Sequence, residues 1–364
     1  MKAEPSAIKV LIASGASAGH LYPALAFAQR LAAKRPDIAI AFVTSKRGIE
    51  SAIERRGYHL FFVSLPAPSL KGIKFLRSLY YLCRSFFDSF FIIQKFRPGL
   101  VVGFGSYVSF PALLESALLG IPTLIHEQNV SFGLSNKLLS FFADKIAVSF
   151  KNTPLRAGKR VFTGNPLRSS LTKSSVHEAR RFFGLEGAFT LLVVGGSQGS
   201  RRINMEFAEA VRLFAERKER FQFIHISGRS DYLRLKECYK CITIKYCLFD
   251  FLDAINLAYG ASDLVICRAG AGTLSELAYF KKAAVVIPYP HARGHQLENA
   301  IALKNENAAV VIQEKELSGA GLREQILRLI RSADERKALE DNIQKFAYPE
   351  AADKLAELAL SMVK

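Results

Sequence analysis

The feature that most constrains this chain is its rhythm. Short apolar runs rich in Val, Ile and Leu alternate with longer helical stretches almost from end to end. Strand-like runs fall near 8–14, 38–44, 59–64, 99–103, 122–126 and 144–149, then near 189–194, 221–226, 241–247, 263–267, 284–288 and 308–312. Parallel strands need a crossover of a dozen or more residues between them, usually a helix, so this alternation predicts parallel α/β sheets. A chain of 364 residues exceeds what one ordinary core fills and suits two domains.

A weak internal repeat divides it. Lys9-Val-Leu-Ile-Ala-Ser-Gly15 and Thr190-Leu-Leu-Val-Val-Gly-Gly196 each run into a small-residue loop and then a helix. Gly, Asn and Pro punctuate the chain at Thr163–Pro166, so the expected domains are 1–164 and 165–346. A tail helix, about residues 347–364, could pack back on the first domain; the sequence does not decide this. The fold class expected is α/β, two Rossmann-like doubly wound domains facing across a cleft.

Composition narrows the function. With 50% hydrophobic and 23% charged residues the chain is globular rather than disordered. The apolar run Ile8–Ala13 is too short for a secretory signal, and no uncharged apolar stretch is long enough for a simple membrane-spanning helix, so a cytosolic location is expected. Five scattered cysteines fit reduced thiols; Cys238-x-x-Cys241, with Cys247 nearby, has no second pair or His at zinc spacing, so no metal is expected. The net charge is +18, and residues 1–164 carry 21 Lys and Arg against 8 Asp and Glu. That bias points to a polyanionic surface, either nucleic acid or acidic lipid.

Three loops have the composition to receive phosphates and sugar hydroxyls. Gly15-Ala-Ser-Ala-Gly-His20 ends a strand and opens a helix, placing backbone N–H groups and a helix dipole toward an anion. It is neither a G-x-G-x-x-G nor a Walker loop, which argues against a dinucleotide-dependent dehydrogenase or epimerase. Gly195-Gly-Ser-Gln-Gly199 is a second such loop, with a hydroxyl at Ser197. Arg268-Ala-Gly-Ala-Gly-Thr-Leu-Ser-Glu276 is the third: its glycines let a ligand approach the backbone, and Glu276 can accept from two ribose hydroxyls. Thr273-x-x-Glu276 also reads as a capping box, in which Glu276 would serve only its own helix. His126-Glu-Gln-Asn129, Asn165-Pro-Leu-Arg168 and His295-Gln-x-x-Asn299 add polar groups where α/β ligands usually sit.

Taken together, Gly15–His20, Gly103–Pro111, His126–Asn129, Gly164–Arg168, Gly195–Gly199, Arg268–Glu276 and Gln296-x-x-Asn299 make the chain similar to one family over nearly its whole length. It resembles the MurG-type UDP-N-acetylglucosamine transferases of peptidoglycan synthesis and, more loosely, the inverting GT-B glycosyltransferases around them. The resemblance implies transfer of GlcNAc from UDP-GlcNAc to the C4 hydroxyl of the muramyl sugar of lipid I, giving lipid II without a cofactor or metal. Carried over by motif, Ser17, Ala18, Gly19, Asn129, Arg168, Ser197, Leu252, Ala271, Gly272, Thr273, Leu274, Ser275, Glu276 and Gln296 contact the donor. In this reading Glu276 holds the ribose and Gln296 the GlcNAc hydroxyls. His20 and Glu127 are the candidates for the base. Ala16, Ala18 and Ser106 stand where the family usually has glycine. The closest rival is a glycosyltransferase acting on diacylglycerol; a non-catalytic nucleic-acid- or membrane-binding protein would leave the three loops idle.

The segment 71–97 speaks to location without the family. At about 100° per residue its Lys74, Arg77, Arg84, Asp88 and Lys95 fall in one narrow sector, and the rest is apolar and rich in Phe and Tyr. Two readings stand: a helix buried in the first domain with one solvated edge, or a peripheral contact with anionic lipid on the inner membrane face. The partners expected are therefore UDP-GlcNAc, lipid I and an anionic membrane surface, with no nucleic acid.

Overall fold

The computed structural model of the protein describes residues 8–15, 17–45, 51–65, 73–154, 158–196, 198–216, 220–291 and 294–363. Two compact units result, Met1–Arg168 with Tyr348–Lys364, and Ser169–Ala347. The first contains β1 (Lys9–Ala13), α1 (Ala18–Lys34), β2 (Ala39–Thr44), α2 (Ser51–Glu54), β3 (His59–Phe62), α3 (Ile73–Phe96), β4 (Leu100–Gly103), α4 (Phe110–Leu118), β5 (Thr123–Glu127), α5 (Leu134–Leu139), β6 (Lys145–Val148) and β7 (Arg160–Phe162). The second contains α6 (Val176–Phe182), β8 (Thr190–Val194), α7 (Arg201–Ala215), β9 (Gln222–Ile226), α8 (Tyr232–Cys238), β10 (Tyr246–Phe249), α9 (Ile255–Ala261) and β11 (Leu264–Cys267). It continues with α10 (Ala271–Phe280), β12 (Ala284–Val286), α11 (His295–Asn305), β13 (Val310–Val311), a 3-10 turn at Glu314–Glu316, α12 (Gly319–Arg331) and α13 (Ala333–Gln344). The last helix, α14 (Ala351–Met362), belongs to the first unit.

Both sheets are parallel throughout, in the orders β3-β2-β1-β4-β5-β6-β7 and β10-β9-β8-β11-β12-β13. These are two Rossmann-like doubly wound units. The strands are nearly continuous in apolar residues because both faces of each sheet are covered. In β1, Val10 and Ile12 join a core cluster with Leu21, Phe27 and Leu355, while Leu11 and Ala13 join one with Ile93, Leu113 and Leu139. Alternate side chains of one strand thus serve opposite layers.

α14 packs on α1 through Leu355, Ala356 and Ala359, all fully buried. Arg30 donates to Asp353 at 2.6 Å and Lys34 to Glu357 at 2.8 Å along the rim. Exposed pairs of this kind are screened by solvent and contribute little, whereas burying one Leu contributes about 2 kcal/mol, so the apolar stripe holds the helix in place.

Two strands depart from the sequence expectation. The run 241–247 predicts a strand, but β10 begins only at Tyr246, because residues 239–242 form the turn leaving α8. The β-branched Ile242 and Ile244 imitate a strand while packing on the core of the second unit. β7 is too short to show any period in the sequence; its edge position is set by pairing with β6.

Candidate active site

In each sheet the strand order reverses once, between β1 and β4 in the first unit and between β8 and β11 in the second. Ligands of open parallel sheets bind outside the carboxyl ends of the strands at such a switch point. The loops singled out in the sequence flank these two points.

In the first unit the residues after β1 face the turn after β4. A side chain at Gly15 would place its Cβ 2.4 Å from Ser106 Cβ, so only glycine fits. Gly105 and Ser106 both have positive φ, +80° and +69°, and for Ser106 this left-handed geometry carries a steric cost that glycine would avoid. Ser17 is the N-cap of α1, but its side-chain oxygen accepts no capping bond from the helix N–H groups. Its Oγ lies instead 2.6 Å from His20 Nδ1. With the proton on Nδ1 the ring donates to Ser17 Oγ, and in the other tautomer Nδ1 accepts from the Ser17 hydroxyl. Ala18 and Gly19 form the first turn of α1; Ala16 lies outside the described residues.

Glu127, the other candidate base, closes β5 and is 1% exposed. Its Oε1 accepts from the Asn129 N–H at 3.0 Å and from Asn129 Nδ2 at 3.1 Å. Its Oε2 accepts from the Gly133 N–H at 3.1 Å and from Asn136 Nδ2 at 2.9 Å. Four donors match the roughly four lone-pair sites of a carboxylate, leaving none for a substrate proton. Glu127 therefore organises the 128–136 loop, and Asn129 is held by that organisation; these four bonds speak for a structural role of Glu127 over that of base.

His126 is fully buried, and burial lowers its imidazole to about 4, so the ring is neutral. Nε2 faces the Gly164 carbonyl at 3.1 Å and so carries the proton, donating it. This bond ties β5 to the segment that leads to Arg168, whose guanidinium sits 4.5 Å from the centre of the Tyr22 ring on α1.

In the second unit the glycine-rich turn after β8 touches the turn after β9. A Cβ at Gly199 would lie 2.1 Å from the Ser227 carbonyl, and Gly199 also has φ +79°. Ser200 is the N-cap of α7, and its Oγ accepts from the Ile203 N–H. Behind it lies a buried polar network. Asn204 Nδ2 donates to the Ser227 carbonyl at 2.8 Å and to Asp231 at 2.9 Å, while Asn204 Oδ1 and Tyr239 Oη flank the two nitrogens of His225. Ser197 lies outside the described residues.

Arg268, at the end of β11, is the hub of this half. Its Nη2 donates to Ser200 Oγ at 2.6 Å and pairs with the Glu314 carboxylate, while Nη1 donates to the Ile287 carbonyl at 3.2 Å. The guanidinium also lies 5.2 Å from the centre of the Tyr289 ring. One buried cation thus ties the loops after β8, β11 and β12 to the 3-10 turn. Buried Asn299 adds a bond from Nδ2 to the Ala269 carbonyl at 3.1 Å, and Gln296 Oε1 accepts from the Tyr289 N–H at 2.9 Å. Leu252 follows the carboxyl end of β10, the outermost strand beside β9.

The capping-box alternative for Glu276 is settled by the start of α10. The N-cap is Gly270, with no side-chain cap, and Ala271, Gly272 and Thr273 are already in the first turn. Glu276 is therefore six positions in, past the capping position. Its Oε2 accepts from Tyr259 Oη at 3.0 Å. Thr273, Leu274 and Ser275 complete the first turns, with Ser275 Oγ donating back to the Ala271 carbonyl.

Sequence profiles agree with this architecture. The glycosyltransferase family 28 N-terminal domain matches residues 10–148 and the family 28 C-terminal domain matches residues 190–355. The UDP-N-acetylglucosamine–N-acetylmuramyl-(pentapeptide) pyrophosphoryl-undecaprenol N-acetylglucosamine transferase of Thermodesulfovibrio yellowstonii is 36% identical over 363 residues, 98% of this chain and 99% of the relative. The enzyme of the same name from Myxococcus xanthus is 35% identical over 363 residues, 98% of this chain and 93% of that one. Among solved structures, Acinetobacter baumannii MurG aligns with a TM-score of 0.79 at 24% identity, covering 97% of this chain and 99% of that chain. The UDP-GlcNAc 2-epimerase of Neisseria meningitidis, bound to UDP-GlcNAc, shares the fold at a TM-score of 0.72 and 13% identity, covering 97% and 100% of the two chains. The chain belongs to glycosyltransferase family 28 and, within it, to the UDP-N-acetylglucosamine–N-acetylmuramyl-(pentapeptide) pyrophosphoryl-undecaprenol N-acetylglucosamine transferases.

Proposed function

We propose that the protein transfers GlcNAc from UDP-GlcNAc to the C4 hydroxyl of the N-acetylmuramyl-pentapeptide of lipid I, forming the β-1,4 linkage of lipid II with inversion. The observation that carries this reading is the corner between β11 and α10. There a glycine N-cap leaves the first-turn amides of Ala271, Gly272 and Thr273 without a capping side chain, and Glu276 stands beyond them on the same helix. Helix N-terminal amides suit a diphosphate, and a carboxylate suits a ribose diol. The names of the full-length relatives support the same donor and acceptor, and they favour lipid I over diacylglycerol.

In this mechanism the acceptor oxygen attacks the anomeric carbon as the bond to the UDP oxygen breaks. His20 Nε2 takes the hydroxyl proton, in the tautomer that donates Nδ1–H to Ser17. Charge develops on the leaving diphosphate, where the amides of α10, the turn 195–199 with Ser197, and Arg168 act electrostatically. Ser17, Ala18, Gly19, Asn129, Leu252, Leu274 and Ser275 are proposed donor contacts, with Gln296 on the GlcNAc hydroxyls. Glu276→Gln tests the donor half: UDP affinity should fall by about 1–3 kcal/mol, the contribution of a charge-assisted bond, with little change in melting temperature. A large loss of stability at unchanged UDP affinity would contradict the ribose role.

We further propose that the first unit docks peripherally on anionic membrane. No described helix is long and apolar enough to cross a bilayer. α3 buries Ser85, Ser89, Ile92 and Ile93 but exposes Leu76, Leu79, Tyr80, Phe87, Phe90 and Phe91. On a helical wheel these six exposed residues span about 120°, with Arg77, Arg84 and Lys95 along one flank. Such a stripe, bordered by cations, fits an acyl-headgroup boundary, where a lipid-linked sugar resides. Lys71 and Phe75 carry no weight here, their side chains lying outside the described residues. Binding should be stronger to phosphatidylglycerol vesicles than to phosphatidylcholine vesicles, and should weaken with salt. Equal binding to both would remove the electrostatic part of the proposal.

A further inference from the structure

Glu276 does not stand alone. Tyr259 projects from α9 and is 1% exposed, with its ring stacked on Phe280 at 5.1 Å and 15° between planes. Both rings come from elements that frame the donor corner, since Phe280 ends the same helix that carries Glu276. The stack fixes the ring, and the ring delivers its hydroxyl to Glu276 Oε2 at 3.0 Å. A phenol buried to this degree needs a hydrogen-bond partner, but a backbone carbonyl would have served for stability alone. Here the partner is the carboxylate assigned to the ribose.

We propose that Tyr259 is a positioning residue for nucleotide recognition: its hydroxyl holds the Glu276 carboxylate in the rotamer that receives the ribose 2′- and 3′-hydroxyls. The inference rests on the ribose reading of Glu276. A carboxylate accepts at roughly four sites, so accepting from Tyr259 does not exclude accepting from two ribose hydroxyls. Removing the phenol takes a fixed donor from the carboxylate, and the ordering that this bond supplies then falls to the ligand, at a cost taken from affinity.

The test is Tyr259→Phe, which keeps the ring and its stack on Phe280 and removes only the hydroxyl. Affinities for UDP and 2′,3′-dideoxy-UDP are measured by titration calorimetry on the full chain, beside wild type, Glu276→Gln and the double variant. Tyr259→Phe should weaken UDP about tenfold and leave the dideoxy nucleotide unchanged, and it should add little in the Glu276→Gln background. Equal loss for both nucleotides, no loss for either, or full additivity in the double variant would overturn the positioning role. A Tyr259→Phe protein that does not fold would overturn it as well, by assigning the hydroxyl to core stability. If Glu276→Gln itself leaves UDP affinity unchanged, the ribose reading fails instead, and the two failures are distinguishable.

Discussion

Replacing Glu127 by Gln separates a loop organiser from a catalytic base. The carboxylate accepts from the Asn129 N–H and Nδ2 on one oxygen and from the Gly133 N–H and Asn136 Nδ2 on the other. A glutamine must turn its own NH2 toward one of these pairs, so two acceptors become donors facing donors. Two bonds are lost, and the other two change from charge-assisted to neutral, which roughly halves them. At about 1.5 kcal/mol per charge-assisted bond, the loss is about 4–5 kcal/mol before relaxation. Removing a buried charge returns part of that, so a net destabilisation of about 3 kcal/mol is expected. For a unit of this size the melting temperature of the first unit should then fall by about 6–12 °C. Differential scanning fluorimetry reads the shift, and hydrogen exchange at Asn129 and Gly133 should quicken in the variant. A melting temperature unchanged within error, together with a turnover loss of a hundredfold or more, would refute the reasoning and return Glu127 to the role of base.

Arg268→Met should destabilise the second unit by about 3 kcal/mol, because it leaves the Glu314 carboxylate beside it unpaired; Arg268→Met with Glu314→Gln should recover part of that, and strict additivity in denaturant titrations would contradict the pairing. Stability should also fall with acid above the range where ordinary carboxylates titrate. Burial lowers His126 to about 4 and His225 to about 3, so both are neutral when folded and protonated when unfolded near pH ~5.5. Glu115 acts the opposite way, since burial raises it to about 7 and it is protonated when folded but ionised when unfolded. Unfolding near pH ~5.5 should therefore take up about one net proton from these three groups, and about two in Glu115→Gln; identical pH slopes in the two proteins would refute this.

How much of this was legible in the sequence depended on how local the signal was. β1, β8 and β11 are continuous apolar runs entering small-residue loops, so strand, switch point and loop could all be placed by reading along the chain. The pairing partners could not. Glu127 looks like a base because its donors Gly133 and Asn136 are six and nine residues away, and no spacing rule connects them. Arg268 meets Glu314 and Ser200 only through the sheet order, and Tyr259 reaches Glu276 only because α9 and α10 pack side by side. The capping box at Thr273 was a local signal that misled: the helix starts earlier, at Gly270, whose missing side chain leaves no residue pattern to read. α3 was ambiguous because a helix apolar on most sides can be buried or can meet lipid. In the structure Ser85 and Ser89 face inward while Phe87 and Phe91 face out, which reverses the simple polarity rule.

The central claim is the identity of donor and acceptor, and one assay addresses it directly. Purified protein is given radiolabelled UDP-GlcNAc with lipid I in detergent, and in parallel UDP-galactose with diacylglycerol. The account predicts label transferred to the lipid-linked disaccharide in the first reaction and none in the second. Transfer to diacylglycerol, or UDP-GlcNAc turnover with no disaccharide formed from lipid I, would contradict it.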